Sequence, residues 1–413
     1  MSSVAYLRED QILTLIGKSS PAQHAFEGIA YAIDDYTVFH VYTSAPNNPP
    51  PGLSTLVQFV FLEKSDASGG DIDYINCIPK KKSVHPCLVI ILDLNKVATV
   101  QKCFLINAKG GKTDCEIKYI PEKSELYSRS KGLLESGVLS KQTVGIVGLG
   151  SGGSPVAIEL AKAGIGNFVL IDFDRLELSN ISRHVCGIND LGRFKTFAIK
   201  DAILQKNPHA FVSTLEIDVN KHRDECSKAL AATNLIVCAS DNDQSRFFLN
   251  EIALKYKITA IFGRAITRAV GGDVLRVRPY QGPCYNCLYS QNVRNQGGDD
   301  EEISQINQAK KVLPDYTSNQ DISAAIQVGL SSDIMPISNF MVKLALVELS
   351  KGLNSGIKSL EDDLIADFYI WANRRDRNYE NWSKLEFNFN KPSILRWYGA
   401  RVQRDPNCMV CGM

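Results

Sequence analysis

An α/β fold, built as a Rossmann-like, doubly wound and mostly parallel sheet, is predicted for the larger part of this chain by three observations. From Tyr127 onward, short apolar runs alternate with helical patterns, which implies parallel strands with helices on both faces. A glycine-rich turn leads from the first of these runs into a helix, and the next run ends in a pair of acids. At 413 residues and 45.6 kDa the chain is too long for one small domain and suits two. Residues 1–125 differ in texture from residues 126–413, and the domain boundary is expected between them.

In the first domain, Tyr36–Tyr42 and Leu56–Leu62 read as half-buried strands, Cys87–Leu94 as a nearly continuous apolar run and Cys103–Ile106 as a shorter one. The proline-rich Ala45–Gly52 is a loop. His40 and His85 stand apart from other chemistry-bearing residues and read as structural or surface histidines. No catalytic constellation is visible here, so the expectation is a separate α/β or α+β domain for docking or dimerisation.

The second domain opens with the strand Val144–Val147, followed by Gly148, Gly150 and Gly153. A helix starts at Ser154, with Pro155 tolerated in its first turn. The strand Phe168–Ile171 then ends in Asp172-Phe-Asp174, with Asp172 placed 19 residues after Gly153. Strand, glycine turn, helix and strand-terminal acid make a nucleotide fingerprint: the glycines admit backbone N–H groups to a polyphosphate, and the acid can hold a ribose hydroxyl. NAD, FAD and ATP all fit this frame. Beyond it, Asn234–Ser240 reads as a buried strand, Gln244–Tyr256 as an amphipathic helix, Ile258–Gly263 as a strand and Ile334–Leu349 as a helix. A polar, acidic stretch from Gly297 to about Asn319 is either a solvated loop or a substrate-gating one.

The choice among nucleotides rests on Asn180, Arg183, Lys195, Asp241, Asn242 and Arg246, all near strand ends. Each alone could be ordinary surface. Together, cations for phosphate oxygens and acids for metal and ribose suit a triphosphate with Mg2+. A nicotinamide enzyme would instead want an apolar pocket and a proton shuttle. Separately, Cys284-Tyr-Asn-Cys287 and Cys408-Met-Val-Cys411 are two C-x-x-C knuckles, each following a proline. Four thiolates of this spacing suit a closed, structural Zn2+ site with no open position for water.

Composition excludes several classes. Charge is nearly balanced, with 46 basic and 45 acidic residues, so neither nucleic acid nor an acidic membrane is an expected partner. No apolar run approaches the roughly 20 residues that span a bilayer, and the amino terminus does not read as a secretory signal. Eleven cysteines without such a signal point to reduced thiols and a cytoplasmic location.

The motifs Gly148-Leu-Gly-Ser-Gly-Gly, Asp172-Phe-Asp, Ser179-Asn-Ile-Ser-Arg183, Gly192-Arg-Phe-Lys195 and Ser240-Asp-Asn occur in the order and near the spacing of one family. From about Tyr127 to the carboxyl end the chain resembles the ThiF/MoeB-type adenylyltransferases, of the ubiquitin-activating enzyme superfamily. That resemblance implies ATP and Mg2+ as reactants. It gives Asp172 to ribose, Asn180 and Arg183 to the phosphates, Lys195 to the transferred nucleotide's phosphates and Asp241 to Mg2+. Tyr127-Ser-Arg129 resembles a family element whose arginine reaches the partner subunit's site, so the resemblance also implies a homodimer with Arg129 acting in trans. It places the structural zinc at the two knuckles. The implied partner is a ubiquitin-like or sulfur-carrier protein ending in glycine, its tail passing under a crossover loop at about 290–325.

Many members then form a thioester on a cysteine near the end of that loop and hand it to a downstream conjugating enzyme. Here the matching position holds Ala325, and no cysteine occurs between Cys287 and Cys408. Cys186, close to Arg183 and His184, is the one thiol with a cationic setting near the site, while Cys238 reads as packing. The leading expectation is activation of a ubiquitin-like protein by carboxyl-terminal adenylation. An extra amino-terminal domain also occurs in the resembled activators of bacterial conjugation operons, antiviral ones among them. The alternatives are a sulfur-carrier adenylyltransferase of the thiamine or molybdopterin type, and a non-catalytic scaffold of the same fold.

Overall fold

The computed structural model describes residues 3–8, 11–12, 14–15, 25–33, 37–45, 50, 52–62, 87–93, 99–107, 111–120, 126–266, 269, 271–289, 329–354, 356–373 and 395–412. The chain divides into two compact units, Met1–Ser128 and Arg129–Met413.

The first unit, for which the sequence predicts an α/β or α+β domain, is built among its described residues on a closed seven-stranded barrel, with short helical pieces at 11–12, 14–15 and at its carboxyl end. Its strands are β1 (Ser3–Arg8), β2 (Ala25–Ile33), β3 (Val38–Tyr42), β4 (Leu53–Leu62), β5 (Cys87–Asp93), β6 (Thr99–Ile106) and β7 (Lys112–Ile120). Parallel pairing of β1 with both β3 and β7 closes it. The unbroken apolar character of β5 has a plain cause: Leu88, Ile90 and Leu92 enter one buried cluster while Cys87, Val89 and Ile91 enter another. A strand covered on both faces has no polar side to alternate with.

The second unit is built on an eight-stranded sheet in the order β10-β9-β8-β11-β12-β13-β14-β15. Strands β8 (Thr143–Val147), β9 (Asn167–Ile171), β10 (Phe211–Leu215), β11 (Leu235–Cys238) and β12 (Thr259–Ala265) run parallel. Strands β13 (Gly271–Val277), β14 (Phe368–Ala372) and β15 (Arg396–Ala400) extend it antiparallel. Its longer helices are α1 (Gly153–Lys162), α2 (Lys195–Lys206), α3 (Arg223–Leu230), α4 (Asp243–Tyr256) and α5 (Ser331–Leu349). Two cores lie on the two faces. Leu235 and Val237 join α1, α2 and α5 in one, while Ile236 and Cys238 join α3 and α4 in the other. Each fully buried aliphatic side chain here contributes roughly 1.5–3 kcal/mol. Among the described residues no helix is long and apolar enough to cross a membrane.

Candidate functional site

Strands β8 and β11 are neighbours, yet the chain leaves β8 towards β9 and β10 on one side and β11 towards β12 on the other. Their carboxyl ends therefore bound the crevice where open α/β sheets take ligands. The glycine turn fills one wall. Gly148 sits at φ +85°, donates its N–H to the Ile171 carbonyl at 2.9 Å, and would bring a Cβ to 2.7 Å from the Ala239 and Ser240 backbone. At Gly153, the first residue of α1, a Cβ would lie 1.9 Å from the Gly148 carbonyl oxygen. Both glycines are thus demanded by backbone packing. Gly150 and Gly152 differ: a Cβ on either would meet nothing within 4 Å, so the turn is open there. Ser154 in the first turn of α1 is fully buried, and its hydroxyl has no hydrogen-bond partner among the described residues. An open glycine cradle at a helix amino terminus, with an orphan hydroxyl beside it, fits a polyphosphate.

Asp172 closes the opposite side. One carboxylate oxygen accepts the Leu149 N–H at 2.6 Å and the other the Asp174 N–H at 2.8 Å. Burial pushes its carboxyl above the ordinary range, against the pull of Lys195 and the two amides. Ionised, it keeps lone pairs for a ligand hydroxyl. Lys195 opens α2, and its ammonium lies 2.7 Å from Asp174 with the lysine side chain only 10% exposed. The second acid of the D-x-D motif, to which the sequence assigned no role, is therefore the lysine's anchor.

Asn180 and Arg183 follow in a 3-10 turn, Leu178–Asn180, and its continuation; the Asn180 side-chain oxygen accepts the Glu177 N–H at 3.1 Å. The next residue, His184, enters the sequence reading only as a cationic neighbour of Cys186. Its Nδ1 accepts the Cys186 N–H at 3.1 Å, so the proton sits on Nε2, which donates to the Leu149 carbonyl at 2.8 Å. Burial holds its pKa below the ordinary value. Cys186 does not have the activated setting its neighbours suggested: it is buried, and burial pushes the thiol up to about 12.

At the end of β11, Asp241 is exposed, whereas Asn242 caps α4 by accepting the Ser245 N–H at 2.8 Å. Asp243 turns inward. It accepts from Arg246 at 3.0 Å and from the Tyr285 hydroxyl at 2.7 Å, with Arg264 at 4.0 Å. Burial raises its carboxyl, but Arg246, Tyr285 and Arg264 outweigh that and hold it below the usual range. Arg264 is itself paired with Asp273, which also accepts from Tyr289. Of this network the sequence singled out only Arg246, and as a phosphate contact. Arg246 is 5% exposed and tied to Asp243 and the Ser240 carbonyl, so it braces the strand end instead.

The sulfurs of Cys284, Cys287, Cys408 and Cys411 all lie within 4.8 Å of one another, with separations of 3.7 Å for Cys284–Cys287 and Cys284–Cys408 and 3.4 Å for Cys287–Cys411. A tetrahedron with metal–sulfur bonds of about 2.3 Å has edges of about 3.8 Å. The donor set and spacing fit Zn2+.

Arg129 is exposed in the 3-10 turn Ser128–Ser130, and among the described residues no hydrogen bond or ion pair joins it to the crevice. The expected crossover loop at 290–325, with Ala325, lies outside the described residues.

A family model described as the ThiF family matches residues 128–373. Among curated proteins, "Adenylyltransferase and sulfurtransferase MOCS3" of Drosophila virilis is 33% identical over 171 residues, covering 40% of this chain and 37% of that protein. "Adenylyltransferase and sulfurtransferase UBA4" of Scheffersomyces stipitis is 28% identical over 171 residues, covering 41% and 36%. The match thus spans little more than a third of these relatives' own length. The crystal structure of E. coli MccB is 19% identical, covers 71% of this chain and 73% of its own, and has a TM-score of 0.48.

Proposed function

Because the chain belongs to the ThiF family, we propose that it adenylates the carboxyl terminus of a small carrier protein ending in glycine, ubiquitin-like or sulfur-carrying, at the expense of ATP. The observation that carries this reading is the open Gly150–Gly152 cradle at the switch point, flanked by Asp172 and the Asp174-anchored Lys195. The names of the curated relatives favour the sulfur-carrier branch.

In the reaction a carboxylate oxygen of the carrier attacks the α-phosphorus of ATP. The new oxygen–phosphorus bond forms as the bond to the bridging oxygen breaks, and pyrophosphate leaves with that electron pair. The nucleophile is already ionised, so no general base is needed; the protein supplies orientation and positive charge. Asp172 holds the ribose, and the cradle amides together with Asn180 hold phosphate oxygens. Arg183 and Lys195 face the charge developing at the α-phosphate. Asp241, exposed at the strand end, and Asn242 beside it complete the nucleotide site, with Asp241 the residue that would hold Mg2+; the ion would neutralise phosphate charge.

Product chemistry ends at the acyl-adenylate in this reading. Outside the four-cysteine cluster, burial raises the second unit's Cys186 and Cys226 thiols to about 12 and Cys238 higher still, which leaves these three poor nucleophiles. A homodimer in which Arg129 completes the partner's site belongs to the same proposal. Support comes from exposed Phe173, Leu178, Val185, Ile188, Leu191 and Phe197, all within 173–197, an apolar stretch that a second subunit would cover.

The test is isotopic exchange of pyrophosphate into ATP. Exchange is expected only with a carrier bearing a free glycine carboxylate, and Asp241→Ala should abolish it while leaving the melting temperature unchanged. Exchange absent with every glycine-ended carrier would overturn the proposal.

A further inference from the structure

The glycine turn is held from outside by two side chains that no motif assigns. The Ser338 hydroxyl, on α5 and 1% exposed, donates to the Gly152 carbonyl at 2.9 Å across 186 positions of sequence. His184 donates through Nε2 to the Leu149 carbonyl at 2.8 Å. In a trans peptide the C=O and the following N–H point in opposite directions. Fixing the Leu149 carbonyl therefore fixes the Gly150 N–H, and fixing the Gly152 carbonyl fixes the Gly153 N–H.

We propose that Ser338 and His184 are positioning residues that lock the glycine turn with the Gly150 and Gly153 amides turned towards the nucleotide's phosphates. The inference rests on the reading of this crevice as an ATP site.

Without these anchors the Leu149–Gly150 and Gly152–Gly153 peptides are free to flip: the backbone bond from the Ser154 N–H to the Gly150 carbonyl at 3.0 Å fixes neither, no Cβ on Gly150 or Gly152 would meet a neighbour within 4 Å, and glycine samples both signs of φ freely. A carbonyl flipped inward would set a partial negative charge against a phosphate. The anchors remove that alternative before the ligand arrives, which is preorganisation of a kind that shows in affinity. Asp172 holds a third point, the Leu149 N–H. The turn is thus gripped from β9, from the segment after it and from α5.

The experiment measures ATP affinity of the whole protein by calorimetry without carrier, alongside thermal unfolding and hydrogen exchange of peptides spanning 148–154. Ser338→Ala should weaken ATP binding about fivefold, the loss of one neutral hydrogen bond at about 1 kcal/mol, and speed exchange in the turn. Its melting temperature should move little, and the carrier KM should not change. Ser338→Thr, which keeps the hydroxyl, should recover most of the affinity. Ser350→Ala is the control: Ser350 is equally a buried serine, at the end of the same helix, and its hydroxyl has no partner among the described residues. His184→Ala should act like Ser338→Ala, and His184→Gln, which retains a donor, should lose less. ATP affinity and exchange unchanged in Ser338→Ala and His184→Ala would overturn the proposal. So would losses matched by Ser350→Ala, which would mark general damage to the helix. A wild-type protein that binds no ATP would instead overturn the nucleotide reading itself.

Discussion

Removing the Asp243 carboxylate should cost far more stability than its single charge suggests. Arg246 is 5% exposed and keeps only the Ser240 carbonyl once Asp243 is gone; Arg264 retains its own partner in Asp273. Stripping one partner from a buried ion pair costs about 3–5 kcal/mol, because a charge is left without compensation. With Arg264 still paired, the lower end applies, so Asp243→Ala should lose about 3 kcal/mol. In a unit of this size that is a fall of roughly 6–12 °C in the melting temperature. Glu159→Ala is the comparison: its pair with Lys162 is 48% and 36% exposed, and such surface pairs contribute under about 1 kcal/mol.

The pH dependence follows from the sign of the shift. The folded carboxyl of Asp243 lies below its unfolded value, so its contribution is complete above about pH 4 and is lost as pH falls below that, through the folded pKa. Urea denaturation of wild type, Asp243→Ala and Asp243→Asn from pH 3 upwards measures both effects. The gap between wild type and Asp243→Asn should narrow only below about pH 4. A loss under about 1 kcal/mol at neutral pH, or a gap that does not change in acid, would refute the assignment of a buried, charge-compensating network.

Two further outcomes are expected. Elemental analysis should find one zinc per chain, and Cys408→Ser should lose the metal and roughly 5 °C or more of melting temperature, as loss of a closed site does; an equally stable metal-free protein would contradict it. Arg129→Ala and Asp241→Ala should each be inactive alone, yet a mixture should recover about a quarter of wild-type activity. About half the dimers would be mixed, each with one repaired site, if distant sites act independently. No recovery after confirmed subunit exchange would place Arg129 outside the partner's site.

The central sheet was legible because its signals are local. Val144–Val147, Phe168–Ile171 and Asn234–Ser240 are short apolar runs between turn residues, and they form β8, β9 and β11 within a residue or two. The antiparallel extension was not legible. Strand β13 is buried throughout but carries Asp273 and Arg276, which break the apolar pattern and are intelligible only through Arg264, Glu348 and Asp367. Closure of the first unit has the same character: nothing in Ser3–Arg8 announces a partner at Cys115–Ile120. In the crevice, the residues at strand ends could be named from their motifs. The side chains that hold them in place, Ser338, His184 and Tyr285, could not, since each acts on a partner distant in sequence.

Those distant contacts also tie the cysteine cluster to the nucleotide crevice. Helix α4 begins immediately after Asp241: Asn242 caps it, and Asp243 and Arg246 lie in its first turn. One turn further on, buried Asn250 accepts the Tyr285 N–H at 3.0 Å and donates to the Asn286 side chain at 2.9 Å, gripping the two residues between Cys284 and Cys287. The Tyr285 hydroxyl returns to Asp243 at 2.7 Å. The knuckle therefore meets the helix twice, at Asp243 in its first turn and at Asn250 in the next part of its length. A closed four-thiolate site has no catalytic position to offer, but a knuckle fixed in this place holds the amino end of α4 against β11. The amino end of α4, which follows Asp241 directly, is thus linked to the segment between Cys284 and Cys287 through Tyr285, Asn286, Asn250 and Asp243, a structural role that asks no chemistry of the thiolates.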